Sequence, residues 1–481
     1  MSEYKLFVQR IGLVGVTNIL ISLSSIILLP ILTKNLTIED YGVWGLFNTT
    51  VNFIPLFVNL GLPYTMVRFL AVKRDKGAIQ EGFYSITLLL LLVGLVTSVI
   101  LFLFSKPMSA VLFNGNEIVS IVLAASVLMT ILNTSFLSFF RTFQQMKMYS
   151  ILSLVQSYAT VLIASYFVMS GYEIAGAVFG YFIVLFAVSI IAVLFIFHQI
   201  GFIFPKFKNM REYLSFGVPT VPGNLSSWMV DLSDRYVIGI LLGTAFVGYY
   251  SPGYTLGTLL TMFGAPFTII LPALLSSYYD QNKIDEVGKH LRYSVKYFLL
   301  LSIPAVFGLS ILSAPLLNIM TTQAIAQNGY LITPFVALGA LMLGIQGIIS
   351  QVLALEKKTK IIGSRWMAAA VLNLGLNIIF VPRFGIIAAA VATLAAYVFT
   401  FITTLYYSQK YIKIDFDFNF ILRSLAASVL MTVVIALISP VSFIGILITI
   451  GIASIVYIVV LFILGGINRD ELEFFKKMVK M

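Results

Sequence analysis

About fourteen apolar runs of roughly twenty residues, parted by short polar connections, leave this chain very few folds. The first covers Ile11 to Leu32, and others follow near 43–67, 83–105, 118–140, 151–170, 174–197, 214–242, 246–275, 293–316, 330–354, 361–381, 384–407, 421–439 and 442–464. At about 1.5 Å of rise per residue, each is long enough to cross a hydrocarbon layer of roughly 30 Å as a helix. The runs are continuous and do not alternate with polar residues, so they are not barrel strands. Hydrophobic residues reach 60% of the chain, more than a soluble core can enclose. The first run lacks a small-residue cleavage site and is too long for the apolar core of a signal peptide, which predicts a retained helix. The expected fold is therefore an all-α polytopic membrane protein.

Basic residues fall on alternate connections. Lys5 and Arg10 precede the first span; Arg68, Lys73, Arg74 and Lys76 follow the second; Arg141 and Lys147 follow the fourth; Lys206, Lys208 and Arg211 follow the sixth. The connections after the eighth, tenth and twelfth spans are similarly basic, whereas the other side carries only Lys34, Lys106 and Arg383. By the positive-inside rule both termini lie in the cytoplasm and the number of spans is even. The net charge of +11 is thus assigned to the anionic inner face of the cell membrane and its lipids, and nucleic acid is not expected as a partner. Cysteine is absent, which excludes disulfides and thiolate chemistry. The two histidines, His198 and His290, read as loop residues without metal-binding company, so neither a metal nor a cofactor is expected.

One charged cluster lies inside a span. Asp231, Asp234 and Arg235 stand at i, i+3 and i+4 in the seventh run, and Thr220, Asn224 and Ser227 extend their face backward by whole turns. Each ionisable group at the bilayer centre costs roughly 2.5 to 3.5 kcal/mol on insertion scales, so this face must meet protein or water. Polar residues recur at three- or four-residue spacing in three other spans: Asn18, Ser22 and Ser25 in the first, Asn48, Asn52 and Asn59 in the second, Tyr250, Tyr254 and Thr261 in the eighth. Such stripes serve either as hydrogen-bonding glue between helices or as the wall of a wet cavity.

A faint internal repeat favours the cavity. The shift that lays Asn18 on Asn224 also lays Ser25 on Asp231, Gly42 on Gly248 and Trp44 on Tyr250, and a similar shift lays Ile174–Val178 on Ile387–Val391. Six spans thus occur twice with the same topology, which implies two six-helix lobes related by a pseudo-two-fold along the membrane normal. The expected organisation is an N-terminal lobe over 1–200, a second lobe over 201–410, two appended helices over 411–465 and an amphipathic surface tail over 466–481.

Three motifs resemble a known family. Leu36-Thr37-Ile38-Glu39-Asp40-Tyr41-Gly42 resembles the L-x-x-E-x-Y-G turn of polysaccharide-biosynthesis flippases of the Wzx type. Asp234-Arg235-Tyr236-Val237-Ile238-Gly239, followed by Val247-Gly248-Tyr249-Tyr250-Ser251, is similar to the second-lobe counterpart, and Asn373 to Asn377 with Val381–Ala390 is similar to the signature of spans 11 and 12. The resemblance covers nearly the whole chain. It implies the multidrug/oligosaccharidyl-lipid/polysaccharide exporter superfamily, and a non-enzymatic transporter of a polyprenyl-(di)phosphate-linked oligosaccharide. In such a protein the headgroup diphosphate calls for cations, and the sugars for amides, hydroxyls and aromatic faces. Candidate cations are Arg68, Arg141, Lys296 and Arg365 at span ends, where they also serve as positive-inside anchors, and Arg235 within a span. Asp231, Asp234, Asn224, Asn18, Asn48, Asn52, Tyr250 and Tyr254 complete the candidate binding set.

Peptidoglycan-precursor flippases carry arginines inside their first two helices; this chain has Asn18, Ser25, Asn48 and Asn52 there, so a glycan other than lipid II is expected. A downstream glycan polymerase or transferase is the implied functional neighbour. The alternative is a cation-coupled drug or metabolite antiporter of the same superfamily, in which Asp231 or Asp234 would be the coupling carboxylate, since Glu39, Asp40, Asp75, Glu81, Glu117 and Glu173 read as loop residues. A membrane glycosyltransferase or polymerase would need a large extramembrane loop bearing acids, and no connection exceeds about 20 residues.

Overall fold

The computed structural model describes residues 3–466, and for residues 3–11, 269 and 273 the backbone alone. Its helices, in chain order, are α1 (Glu3–Asn35), α2 (Ile38–Val58), α3 (Leu62–Leu70), α4 (Lys76–Leu103), α5 (Ser105–Leu112), α6 (Glu117–Thr142), α7 (Met146–Phe167), α8 (Glu173–Ile200), α9 (Met210–Gly217) and α10 (Val221–Leu241). Then follow α11 (Thr244–Thr258), α12 (Ala265–Asp280), α13 (Ile284–Met320), α14 (Gln323–Gly329), α15 (Ile332–Leu355), α16 (Thr359–Phe384), α17 (Ile386–Ser408), α18 (Phe418–Ile438) and α19 (Phe443–Ile463). No strand occurs among the described residues. The tail expected at 466–481 lies, from residue 467 on, outside them.

Ten helical runs among the described residues are long and apolar enough to cross a membrane, or up to 12 if two bent pairs each count as one span. The run Met146–Ile200 contains two of the expected spans, since Gly171 at φ +86° breaks it between α7 and α8. The span centred on α10 is missing from that tally because Asp231, Asp234 and Arg235 lower its hydropathy. Every segment read from the sequence falls on one helix or on two in succession, and the chain is a multi-pass membrane protein.

Two expected spans are broken. α2 and α3 meet at 55°, where Leu60 and Gly61 both take positive φ between Pro55 and Pro63. Proline removes a helical hydrogen bond and glycine accepts the left-handed turn, so the chain bends there. The eighth span is interrupted by a 3-10 turn over Leu259–Phe263, between Pro252 in α11 and Pro266 in α12.

The acids expected in loops belong to helix starts. Glu39 and Asp40 occupy the first turn of α2, Glu117 that of α6 and Glu173 that of α8; Asp75 caps α4 by accepting from Ala78 N at 2.7 Å, and Glu81 lies further into α4. Negative charge complements the positive end of a helix dipole, which explains the placement. His198 and His290 also lie in helices, α8 and α13, and not in loops.

The helices group into two compact units: one comprises the chain to Ser251 with Trp366–Ala389, the other Pro252–Arg365 with Ala390 onward. In the first, α6 packs against α2, α3, α4 and α8, while α7 lies along α1 and α8. Phe47, Phe83, Phe139 and Phe140 are fully buried there. In the second, the long α13 contacts α12, α15, α18 and α19, with Phe298, Val306, Phe420 and Met431 in its core. Lipid is as apolar as leucine, so close fit and hydrogen bonding hold such helices together more than the hydrophobic effect does. Accordingly many hydroxyls bond back onto their own helix, as Thr33, Thr49, Thr50 and Thr142 do to the carbonyls four residues earlier.

Candidate functional site

The first unit holds a cavity of about 380 Å³ built by three elements. α6 contributes Thr134, Ser138 and Arg141, at i, i+4 and i+7 and so on one face. α10 contributes Asn224, Ser227, Trp228 and Asp231, again whole turns apart. The bend between α2 and α3 closes the third side with Pro55, Asn59, Gly61, Pro63 and Tyr64. The bend shapes this wall: a straight helix would present one periodic stripe, whereas here both Asn59 before the break and Tyr64 after it line the same space.

Its polar lining is mixed in charge. Arg141 is exposed near the end of α6, and Asp231 is half-buried on α10. Trp228 is 8% exposed and stacks on Phe53 with centroids 4.1 Å apart, which fixes the indole plane. Its Nε1 and the Oδ1 of Asn59 are buried without a hydrogen-bond partner among the described residues. An unmet buried polar group costs about 1–3 kcal/mol, so both atoms favour an occupant that can meet them.

A turn beyond Asp231, the cluster becomes dry. Asp234 is 0% exposed and Arg235 8%. The Asp234 carboxylate accepts from the Tyr250 hydroxyl at 2.5 Å and from the Arg235 backbone N–H at 2.7 Å, and the Arg235 guanidinium lies 3.5 Å from it. That guanidinium also sits 5.9 Å from the centroid of the Tyr250 ring. The Arg235 guanidinium thus faces the carboxylate of its chain neighbour. Ser233 donates to Asn373 Oδ1 at 3.4 Å, tying α10 to α16.

The remaining candidates stand elsewhere. Asn18, Asn52 and Arg68 are exposed, and Asn48 and Asn52 turn their amides onto the carbonyls of Trp44 and Asn48, at 2.9 and 2.8 Å. The second unit holds Tyr254, which is buried, and Lys296, whose ammonium lies 5.2 Å from the Phe420 ring centroid. It also holds Arg365, whose guanidinium donates to Ile361 O at 3.0 Å and to Thr404 Oγ1, with Nη2 buried and unpartnered among the described residues. Of the sequence candidates the cavity therefore gathers Asp231, Asn224 and Arg141, and a second group gathers Asp234, Arg235 and Tyr250. Trp228, Tyr64, Thr134 and Ser138 were not among them. Trp228 stands at i+4 from Asn224, and Thr134 and Ser138 extend one stripe from Arg141, so the signal was the periodicity of α6 and α10 read together.

Residues 7–278 match the family described as polysaccharide biosynthesis protein, and residues 219–382 match MatE. Among curated proteins the chain is 23% identical over 215 residues to "Probable low-salt glycan biosynthesis flippase Agl15" of Haloferax volcanii, covering 45% of each chain. It is 28% identical over 188 residues to "Probable lipid II flippase MurJ" of Rickettsia prowazekii, covering 37% of each. The matched stretches thus span less than half the length of these two relatives. Among solved structures, "Lipid II flippase MurJ, inward closed conformation" superposes with a TM-score of 0.73 at 18% identity, covering 96% of this chain and 100% of the other. An inward-facing multidrug resistance MATE family transporter of the MOP superfamily gives 0.69 at 13% identity, covering 81% and 94%. The fold is that of these transporters, and the chain, matched over more than half its length, belongs to the polysaccharide biosynthesis protein family.

Proposed function

We propose that the protein is a flippase that turns a polyprenyl-(di)phosphate-linked oligosaccharide from the cytoplasmic to the outer leaflet of the cell membrane by alternating access, in the assembly of a surface glycan. The observation that carries this reading is the cavity among α3, α6 and α10, which places a guanidinium at a helix end, amides, hydroxyls and an aromatic plane around one space within a membrane-spanning unit. Arg141 suits the diphosphate, because an arginine fork bonds two phosphate oxygens at once. The polar stripe of α10 and Asn59 suit the sugars, and the lipid tail stays in the bilayer. With both termini in the cytoplasm, Arg141 marks the cytoplasmic mouth. The glycan flippase named among the relatives supports the same class of substrate, and a glycan polymerase or transferase would act on the product.

Asp234, Arg235 and Tyr250 hold α10 and α11 together in this reading. A carboxylate buried at Asp234 also favours a second one, a cation-coupled drug or metabolite antiporter, which the MatE match over 219–382 supports. Reconstitution into proteoliposomes separates the two. A flippase moves a fluorescent polyprenyl-diphosphate oligosaccharide between leaflets, whereas an antiporter leaves that lipid in place and expels small organic cations, driven by an ion gradient, in a manner that requires Asp231 or Asp234.

A further inference from the structure

The cavity carries one arginine and one carboxylate, Arg141 and Asp231, and around the carboxylate its chemistry is that of hydroxyl recognition. A carboxylate has two oxygens and about four lone-pair sites, so Asp231 accepts protons from hydroxyls or an ammonium group beyond any it already binds. Next to it stand a buried indole donor, Trp228 Nε1, and a buried amide acceptor, Asn59 Oδ1, neither with a partner among the described residues. Trp228 is held in place by its stack on Phe53. A pyranose offers hydroxyls that both donate and accept, together with an apolar C–H face for an aromatic ring, and so satisfies all three groups at once. A sugar bearing its own carboxylate would instead set a second negative charge near Asp231 in a partly desolvated space, where like charges repel strongly.

We propose, resting on the flippase reading above, that this cavity is a sugar subsite in which Asp231, Trp228 and Asn59 admit an uncharged or amino sugar and reject a uronic acid. The sugar is then selected by the charge of Asp231 on α10.

The test uses the intact protein in proteoliposomes and fluorescent polyprenyl-diphosphate oligosaccharides that differ at one residue, a hexose, a hexosamine or a hexuronate. The unaltered protein is expected to turn over the hexose and hexosamine lipids about tenfold faster than the hexuronate lipid, and Asp231→Asn to cut that ratio at least about threefold. Trp228→Phe keeps a ring and loses the N–H; it is expected to raise the half-saturating concentration of the hexose lipid several-fold with little change in maximal rate. Equal rates for the three lipids in the unaltered protein would overturn the selection and leave the flippase standing. A ratio that Asp231→Asn does not change would remove Asp231 from the subsite. Movement of none of the lipids would overturn both readings.

Discussion

Gly42 and Gly248 face each other reciprocally. A Cβ on Gly42 would overlap the carbonyl of Thr244, and a Cβ on Gly248 would overlap the carbonyl of Ile38. Ile38 stands four residues before Gly42, and Thr244 four before Gly248, so each helix start presents the same glycine-to-carbonyl contact to the other. The shift that aligned the two glycines in the sequence relates both contacts. Asn114 Nδ2 adds a hydrogen bond to Thr244 Oγ1 at 2.7 Å.

This crossing predicts that Gly42→Ala and Gly248→Ala force α2 and α11 apart. Overpacking of this kind costs about 1–3 kcal/mol, and here the obstacle is backbone, which cannot swing away. Thermal unfolding in detergent should show both variants several degrees below the unaltered protein, while Gly223→Ala and Gly375→Ala, with open space around them, should show no comparable loss. Unchanged midpoints for Gly42→Ala and Gly248→Ala would mean that the two helix starts do not touch.

Removing Arg235 is expected to act first on stability. Asp234 is fully buried, and stripping a buried carboxylate of its cation costs about 3–5 kcal/mol. Arg235→Ala should therefore lower the unfolding midpoint and the folded yield, and pairing it with Asp234→Asn should recover part of the loss. If the single variant unfolds at the same temperature as the unaltered protein, the pair is not holding α10.

Arg141 should behave in the opposite way. It is exposed at the end of α6, so Arg141→Ala leaves the unfolding midpoint within about 1 °C, in line with small surface effects. Loss of a charge-assisted hydrogen bond worth about 1.5–3 kcal/mol should weaken the apparent affinity for a diphosphate lipid about ten- to a hundredfold. Titration of translocation rate against lipid concentration reads this directly, and Arg141→Lys should recover only part because lysine lacks the fork.

Arg365 gives a prediction of contrary sign. A buried guanidinium with one nitrogen unpartnered among the described residues is costly, and replacing such a charge with an apolar side chain of similar volume is often neutral or stabilising. Arg365→Met should unfold no lower than the unaltered protein. A large drop would show that Thr404 and the Ile361 carbonyl satisfy the charge better than their geometry suggests.

The span pattern was legible because hydropathy over twenty residues is set by solvent, and the basic connections marked the same boundaries independently. The charges of α10 were legible too, since nothing apolar explains them. What spacing could not resolve is which neighbours each residue meets. Asp231 and Asp234 share a helical face by periodicity, yet one lines the cavity and the other is buried with Tyr250, because α11 covers only part of that face. Asn48 and Asn52 formed a convincing stripe, but an asparagine in a helix can satisfy its own amide on the carbonyl four residues back, and these do. Hydropathy puts Glu39, Glu117 and Glu173 in loops because an apolar run stops at the first charge, whereas helices start earlier, where acids complement the dipole.

A cavity that carries a lipid-linked glycan across the membrane shows itself in leaflet translocation in proteoliposomes. With a fluorescent polyprenyl-diphosphate oligosaccharide in both leaflets, a membrane-impermeant quencher reports how fast the inner pool reaches the outside. The unaltered protein should empty that pool, and Arg141→Ala, folded and inserted to the same level, should slow it at least about tenfold at low lipid concentration. Equal rates in protein-containing and protein-free vesicles, or equal rates for the two proteins, would mean that this cavity does not carry the lipid.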